Sequence, residues 1–224
     1  MLFEHRIPDL PAIPTSRYAL NYDRYLRERR SRKESFCQEV GHETKGPNAL
    51  EVSGGWGYTG IDVLLRSPGL CLKVLAEHPV ACQIGLRNAL EASVEDRCTF
   101  IIGSEEHIPL ADQTVDMAVS TNRLHRWERP LDVIREMVRV TRRGGIVWIN
   151  DLRRDPDEFI VEYVIRELRR DTSDFGSFAL DRFVRSWRSS YSPGEMERML
   201  QPARFDTVLI MEDGALAQTI RIDT

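Results

Sequence analysis

The chain has 224 residues, of which 42% are hydrophobic and 29% charged, the makeup of a globular protein with a buried core. Its 31 basic and 35 acidic residues leave a net charge of -4, which argues against broad nucleic-acid binding. Four scattered cysteines lack a C-x-x-C pair and no apolar run nears the ~20 residues of a membrane span, so reduced thiols in a soluble, cytoplasmic protein are expected.

The amino-terminal stretch is charged and punctuated by prolines up to Pro14, and it lacks an apolar signal core. Tyr18, Tyr22, Tyr25 and Leu26 then recur at helical spacing, so a helix is predicted over the main domain. The basic run from Arg24 to Lys33 reads as a solvated helix face. Residues 1–46 are therefore expected to form an N-terminal helical cap, closed by the loop "GHETKGPNA" from Gly41 to Ala49.

From Leu50 the chain alternates. "ALEV" predicts a strand, "YTGIDVLLR" a helix, "LCLKVLA" a second strand, and "PVACQIGLRNALEAS" a helix with proline in its first turn. "CTFIIG" and "TVDMAVST" predict two further strands. "RPLDVIREMVRVT" follows as an amphipathic helix, with Leu131, Ile134, Met137 and Val138 on one stripe. Gly144 and Gly145 read as the stop of that helix, before a fifth strand. Strands and helices in this order imply a parallel sheet covered on both faces. Ligands in such folds bind beyond the carboxyl ends of the strands. Ser53 to Gly57, Ala76 to His78, Gly103 to Glu106, Thr121 to Trp127 and Asn150 to Asp151 would meet there.

After Asp151 helices take over, at about 155–203, and the chain closes with "FDTVLIM", the turn "EDGA" and "LAQTIRI", an antiparallel hairpin. The arginines of these helices, Arg166, Arg169, Arg170, Arg182, Arg185 and Arg188, read as solvated faces interleaved with acids. The five histidines are dispersed and suggest no metal site.

Three stretches together resemble the class I S-adenosylmethionine-dependent methyltransferases, of the small-molecule type related to the ubiquinone and menaquinone methyltransferases. "LEVSGGWGYTG" is similar to the family's first motif, E-x-G-x-G-x-G. The run from Gly103 to Gly145 is similar to a segment whose usual form is G-D-A-x-x-L-P-F, S-F-D, L-H-H-W, a helix and R-P-G-G. "INDLRRD", "YSPGEMERML" and the closing hairpin match what commonly follows, so the resemblance covers residues 47–224. It implies a Rossmann-like α/β sheet, mostly parallel with an antiparallel C-terminal hairpin strand, and S-adenosylmethionine as cofactor for methyl transfer to a small molecule.

The resemblance also assigns residues. Glu51, Ser53, Gly55, Trp56, Gly57, Glu77, Ser104, Glu105 and Thr121 fall in cofactor-binding loops. Several depart from the pattern. Ser53 replaces the first glycine and Trp56 takes a variable position beside the methionine end. Ala76 stands where an acid usually meets the ribose hydroxyls, with Glu77 one residue on. Ser104 replaces the aspartate that usually meets the adenine amine. Methyl transfer needs positioning and sometimes a base, and His125 is the candidate, with Asp151 and His107 as runners-up. The departures leave open a second reading, a degenerate or repurposed member of the fold that serves as a binding or scaffolding subunit with a protein partner.

Overall fold

The computed structural model describes residues 6–9, 16–29 and 33–224. Much of the proline-punctuated stretch before the first helix, and residues 30–32 of the basic run, lie outside these. The strands are β1 (Asn48–Glu51), β2 (Cys71–Ala76), β3 (Cys98–Ile102), β4 (Val115–Thr121), β5 (Thr141–Leu152), β6 (Thr207–Asp213) and β7 (Ala217–Asp223). They form one sheet in the order β3-β2-β1-β4-β5-β7-β6. The first five run parallel, and β7 lies antiparallel between β5 and β6. This is the mostly parallel sheet with a reversed C-terminal hairpin that the sequence predicts. The reversal of strand order falls between β1 and β4, where α/β folds open their ligand crevice.

The helices are α1 (Ser16–Arg29), α2 (Glu34–Glu43), α3 (Tyr58–Arg66), α4 (Pro79–Glu91), α5 (Pro130–Val140), α6 (Glu158–Leu168), α7 (Asp174–Ser189) and α8 (Pro193–Leu200). Side chains alternate across the sheet, as the period of two demands. Val147 and Ile149 of β5 enter a core with Ile134 and Met137 of α5 and Met196 of α8. Ile146 and Trp148 enter the opposite core with Phe36 of α2 and Ile61 and Leu64 of α3. All seven residues of β4 are buried, as expected of a central parallel strand covered on both faces. Among the described residues, no helix is long and apolar enough to cross a membrane.

A third cluster joins the N-terminal helix to the strand ends. Tyr22 and Tyr25 of α1 pack with Trp56, with Ala81 and Ile84 of α4, and with Phe175 and Ala179 of α7. The tyrosine periodicity of the sequence is thus the underside of a lid. α2 instead lies against α3 and the sheet, where Phe36 meets Trp148 edge-on at 6.1 Å.

Two sequence expectations are corrected. Gly144 and Gly145 do not stop α5: the helix ends at Val140 and β5 begins at Thr141. The pairing of β4 with β5 shifts register between Val115 and Met117, and Gly144, at φ +73, lies in the irregular stretch. A Cβ on Gly145 would come within 2.6 Å of the Asp116 carbonyl, so the glycine permits a close approach of two strands. Arg182, read as solvated, is buried because α7 lies beneath the N-terminal segment, where Asp9 pairs with it.

Candidate active site

The first-motif loop crosses the end of β1 and is tied to β4. Ser53 Oγ accepts the Thr121 N–H at 2.9 Å, and Ser120 Oγ donates to the Val52 carbonyl at 2.5 Å. Serine in place of the usual glycine therefore adds a cross-strand bond. Gly55 sits at φ +103, and a Cβ there would fall 2.5 Å from Ala76 Cβ, so only glycine lets the loop pass the end of β2. Glu51 is buried and accepts the Gly60 N–H at 2.6 Å; burial pushes its carboxyl up to about 7 despite that bond.

A cavity of about 420 Å³ opens beside this loop, within the usual range for small-molecule sites. Its inner wall includes Glu51, Ser53, Trp56, Thr59 and Thr121. The lid contributes Tyr22, Tyr25 and Leu26, while Phe183 and Ser186 of α7 and the 213–217 turn close the far side. Trp56 stacks edge-on to Tyr22 at 5.0 Å and its backbone carbonyl accepts from Asn88 at 3.0 Å. The indole both packs the lid and lines the cavity, and its Nε1 has no hydrogen-bond partner among the described residues.

His125 and Asp151 come together at the ends of β4 and β5. The carboxylate takes the His125 backbone N–H at 2.9 Å and the ring Nδ1 at 2.7 Å. Both residues are almost wholly buried. Burial alone would raise the Asp151 pKa, but His125 and the N–H groups of His125 and Leu152 hold it below the ordinary carboxylate range. An ionised Asp151 accepts from Nδ1–H, and in the neutral form of the ring Nε2 is then the acceptor. That Nε2 has no partner among the described residues, and His125 lines the cavity. His107, the other histidine considered, is exposed and away from it.

The remaining expected cofactor residues lie elsewhere. Ser104 is exposed and its hydroxyl accepts the Glu106 N–H in a local turn. Glu105 is buried, and both of its oxygens accept from Arg123 Nε at 2.9 Å. Trp127 Nε1 donates to the same carboxylate at 2.7 Å. The Arg123 guanidinium also binds the Glu77 carboxylate. Burial acts to lower the Arg123 pKa, but Glu105 and Glu77 outweigh it, and the guanidinium is held charged. Neither Glu77, Ser104, Glu105 nor Arg123 reaches the cavity.

Three features arise where segments distant in the chain meet, and one corrects an expectation: Lys33, read as part of a solvated helix face, is partly buried at the site. Lys33 enters the cavity and donates to Asn150 Oδ1; burial lowers its pKa against the opposing pull of Asp151 and Asp213. Asn150 in turn donates to Asp213 at 2.6 Å and to Thr219 at 2.7 Å. From the far end of the chain, Arg6 donates to the His125 carbonyl at 3.1 Å and to the Ser189 carbonyl at 2.6 Å. Arg123 itself carries no motif that marks it.

Comparison with known proteins fits this geometry. The family profile described as a methyltransferase domain matches residues 73–149. An uncharacterized methyltransferase of Mycobacterium avium is 31% identical over 110 residues, 49% of this chain and 41% of that protein. A ubiquinone/menaquinone biosynthesis C-methyltransferase of Cereibacter sphaeroides is 26% identical over 112 residues, 50% of this chain and 45% of its own length. The chain thus matches less than half the length of these curated relatives. Among solved structures, a SAM-dependent methyltransferase from Aquifex aeolicus superposes with TM-score 0.68 at 16% identity, covering 93% of this chain and 98% of the other. The plantazolicin methyltransferase BpumL, solved with SAH, gives TM-score 0.69 at 13% identity over 93% and 90%. At these identities the structural likeness establishes the fold alone.

Proposed function

We propose that this chain, which belongs to the class I methyltransferases, transfers a methyl group from S-adenosylmethionine to a protic group on a small molecule, with His125 as the base. The observation that carries this reading is the His125–Asp151 pair on the wall of the same cavity as the first-motif residues, with a His125 Nε2 that has no partner among the described residues.

The residues fit the cofactor at its methionine end. Glu51, Ser53, Thr59 and Thr121 would hold that arm, and Glu51 ionises readily once a cationic ammonium replaces water beside it. At the adenosine end, Arg123 stands between Glu77, Glu105 and Gly54. When bound, the cofactor supplies a methyl group on a sulfonium, open to direct displacement. The chain's own part is positioning, proton removal and exclusion of water. His125 Nε2 accepts the proton of the acceptor O–H or N–H, and Asp151 stabilises the imidazolium that results. Tyr22, Tyr25 and Phe183 enclose the acceptor, and Lys33 offers an ammonium to its polar end.

Purified protein incubated with S-adenosylmethionine and a panel of small phenols, acids and amines is expected to release adenosylhomocysteine with at least one of them. Absence of both turnover and cofactor binding at millimolar concentration would reject the reading. The Arg123 cluster favours a second one, a scaffolding subunit on the same fold. That reading expects a stable protein partner in a pull-down from native cells, and turnover by the isolated chain would sink it.

A further inference from the structure

Glu77, Glu105 and Arg123 lie outside the lining of the cavity. The acid one residue past β2 and the acid in the loop after β3 are both present, yet neither is available: one arginine, from the loop after β4, holds both. Its guanidinium carbon lies 3.6 Å from the position a Cβ on Gly54 would take, directly over the first-motif loop. Arg123 is 8% exposed, while the Glu77 side chain is 40% exposed, so the cluster is closed on the protein side and open to solvent at Glu77. Trp127 fixes Glu105 from behind, which keeps the inner acceptor rigid.

We propose that Arg123 is a resident occupant of the adenosine subsite, and that the affinity for S-adenosylmethionine is set by the displacement of Arg123 from Glu77 and Glu105. The inference rests on the cofactor reading above. A ribose presents two hydroxyl donors to Glu77 in place of the guanidinium, and the exposed end of the cluster is where a ligand begins the exchange. Glu105 keeps its bond from Trp127 throughout. A buried arginine–carboxylate pair, here one Nε–H shared by both Glu105 oxygens, is not given up freely, since each charge left behind is poorly solvated. The form able to bind the whole cofactor is therefore a minor one. If it makes up 1–10% of molecules, observed affinity falls about 10- to 100-fold below that of an open subsite.

The test is calorimetric titration of adenosylhomocysteine into three proteins: wild type, Glu105→Gln, and the double variant Arg123→Ala with Glu105→Gln. The double variant avoids leaving an unpaired buried acid, and glutamine still accepts from Trp127, so folding is preserved; circular dichroism checks this. The double variant is expected to bind at least about 10-fold tighter than wild type, with Glu105→Gln in between. Wild type binding as tightly as the double variant, or tighter, overturns the inference while leaving the cofactor reading intact, because Arg123 would then be a neutral neighbour or a direct contact. No heat from any of the three folded proteins at millimolar ligand overturns both.

Discussion

The two ends of the cleft are built from similar groups that are bonded in opposite ways. At the end proposed for the methionine arm, Glu51, Ser53, Thr121 and His125 line the cavity and are held by hydrogen bonds within the protein. At the end proposed for adenosine, Glu77 and Glu105 are both bonded to Arg123. An acid in the expected register thus identifies a strand end, while its use depends on which long side chain reaches it first.

That contrast sets His125 at one end, where a change acts on turnover, against Glu105 at the other, where loss of the acid also acts on stability. The largest effect is expected for His125→Ala: turnover falls about 10²- to 10⁴-fold while adenosylhomocysteine affinity is unchanged. Unchanged turnover removes the base, and a matching loss of affinity would blur the two ends. Glu105→Ala at the other end strands Arg123 with only the exposed Glu77 and leaves Trp127 Nε1 unbonded. A loss of about 3–5 kcal/mol in denaturant unfolding is expected; a change below about 1 kcal/mol would show the pair is solvated in solution.

Glu51 gives a pH test. Its carboxyl titrates near 7 folded against 4.5 as the ordinary value, so the folded state keeps a proton that the unfolded chain has lost. The stabilisation is complete below pH 4.5 and is lost as pH rises through 7, about 3 kcal/mol in all for this buried group. Glu51→Gln, which can still accept from Gly60, should flatten that decline between pH 5 and pH 8. Parallel stability curves for the two proteins would rule it out. The smallest effect belongs to Trp56→Phe, which keeps the edge-on packing with Tyr22. It should cost under about 1.5 kcal/mol in stability, yet shift ligand affinity if the indole faces the ligand.

The sheet was legible because its signals are local. The apolar runs at Leu70 to Ala76 and Thr114 to Thr121 bracket β2 and β4 to within a residue, and Pro79 and Pro130 open their helices as first-turn prolines do. Gly144 and Gly145 misled because a glycine pair after a helix reads as a stop, while here it serves the irregular pairing of β5 with β4. His125 and Asp151 were legible as strand-end residues, but the bond between them was not. Arg123 was legible only as part of the loop from Thr121 to Trp127, and Lys33 and Asp213 not at all as site residues, for one physical reason. Their roles arise only when loops distant in sequence converge, and nothing in the local pattern records where a long side chain ends.

The place of β7 has a consequence for how the protein is made. β7 is inserted between β5 and β6, and pairs with β5 from Ile146 to Leu152. Until residues 217–223 leave the ribosome, β5 keeps one bare edge along the segment that holds Asp151. A nascent chain at that stage carries an unsealed, apolar sheet edge, the feature that invites aggregation. Synthesis arrested before Ala217 is therefore expected to leave a chaperone-dependent species that holds every residue of the His125–Asp151 pair and none of its lasting geometry.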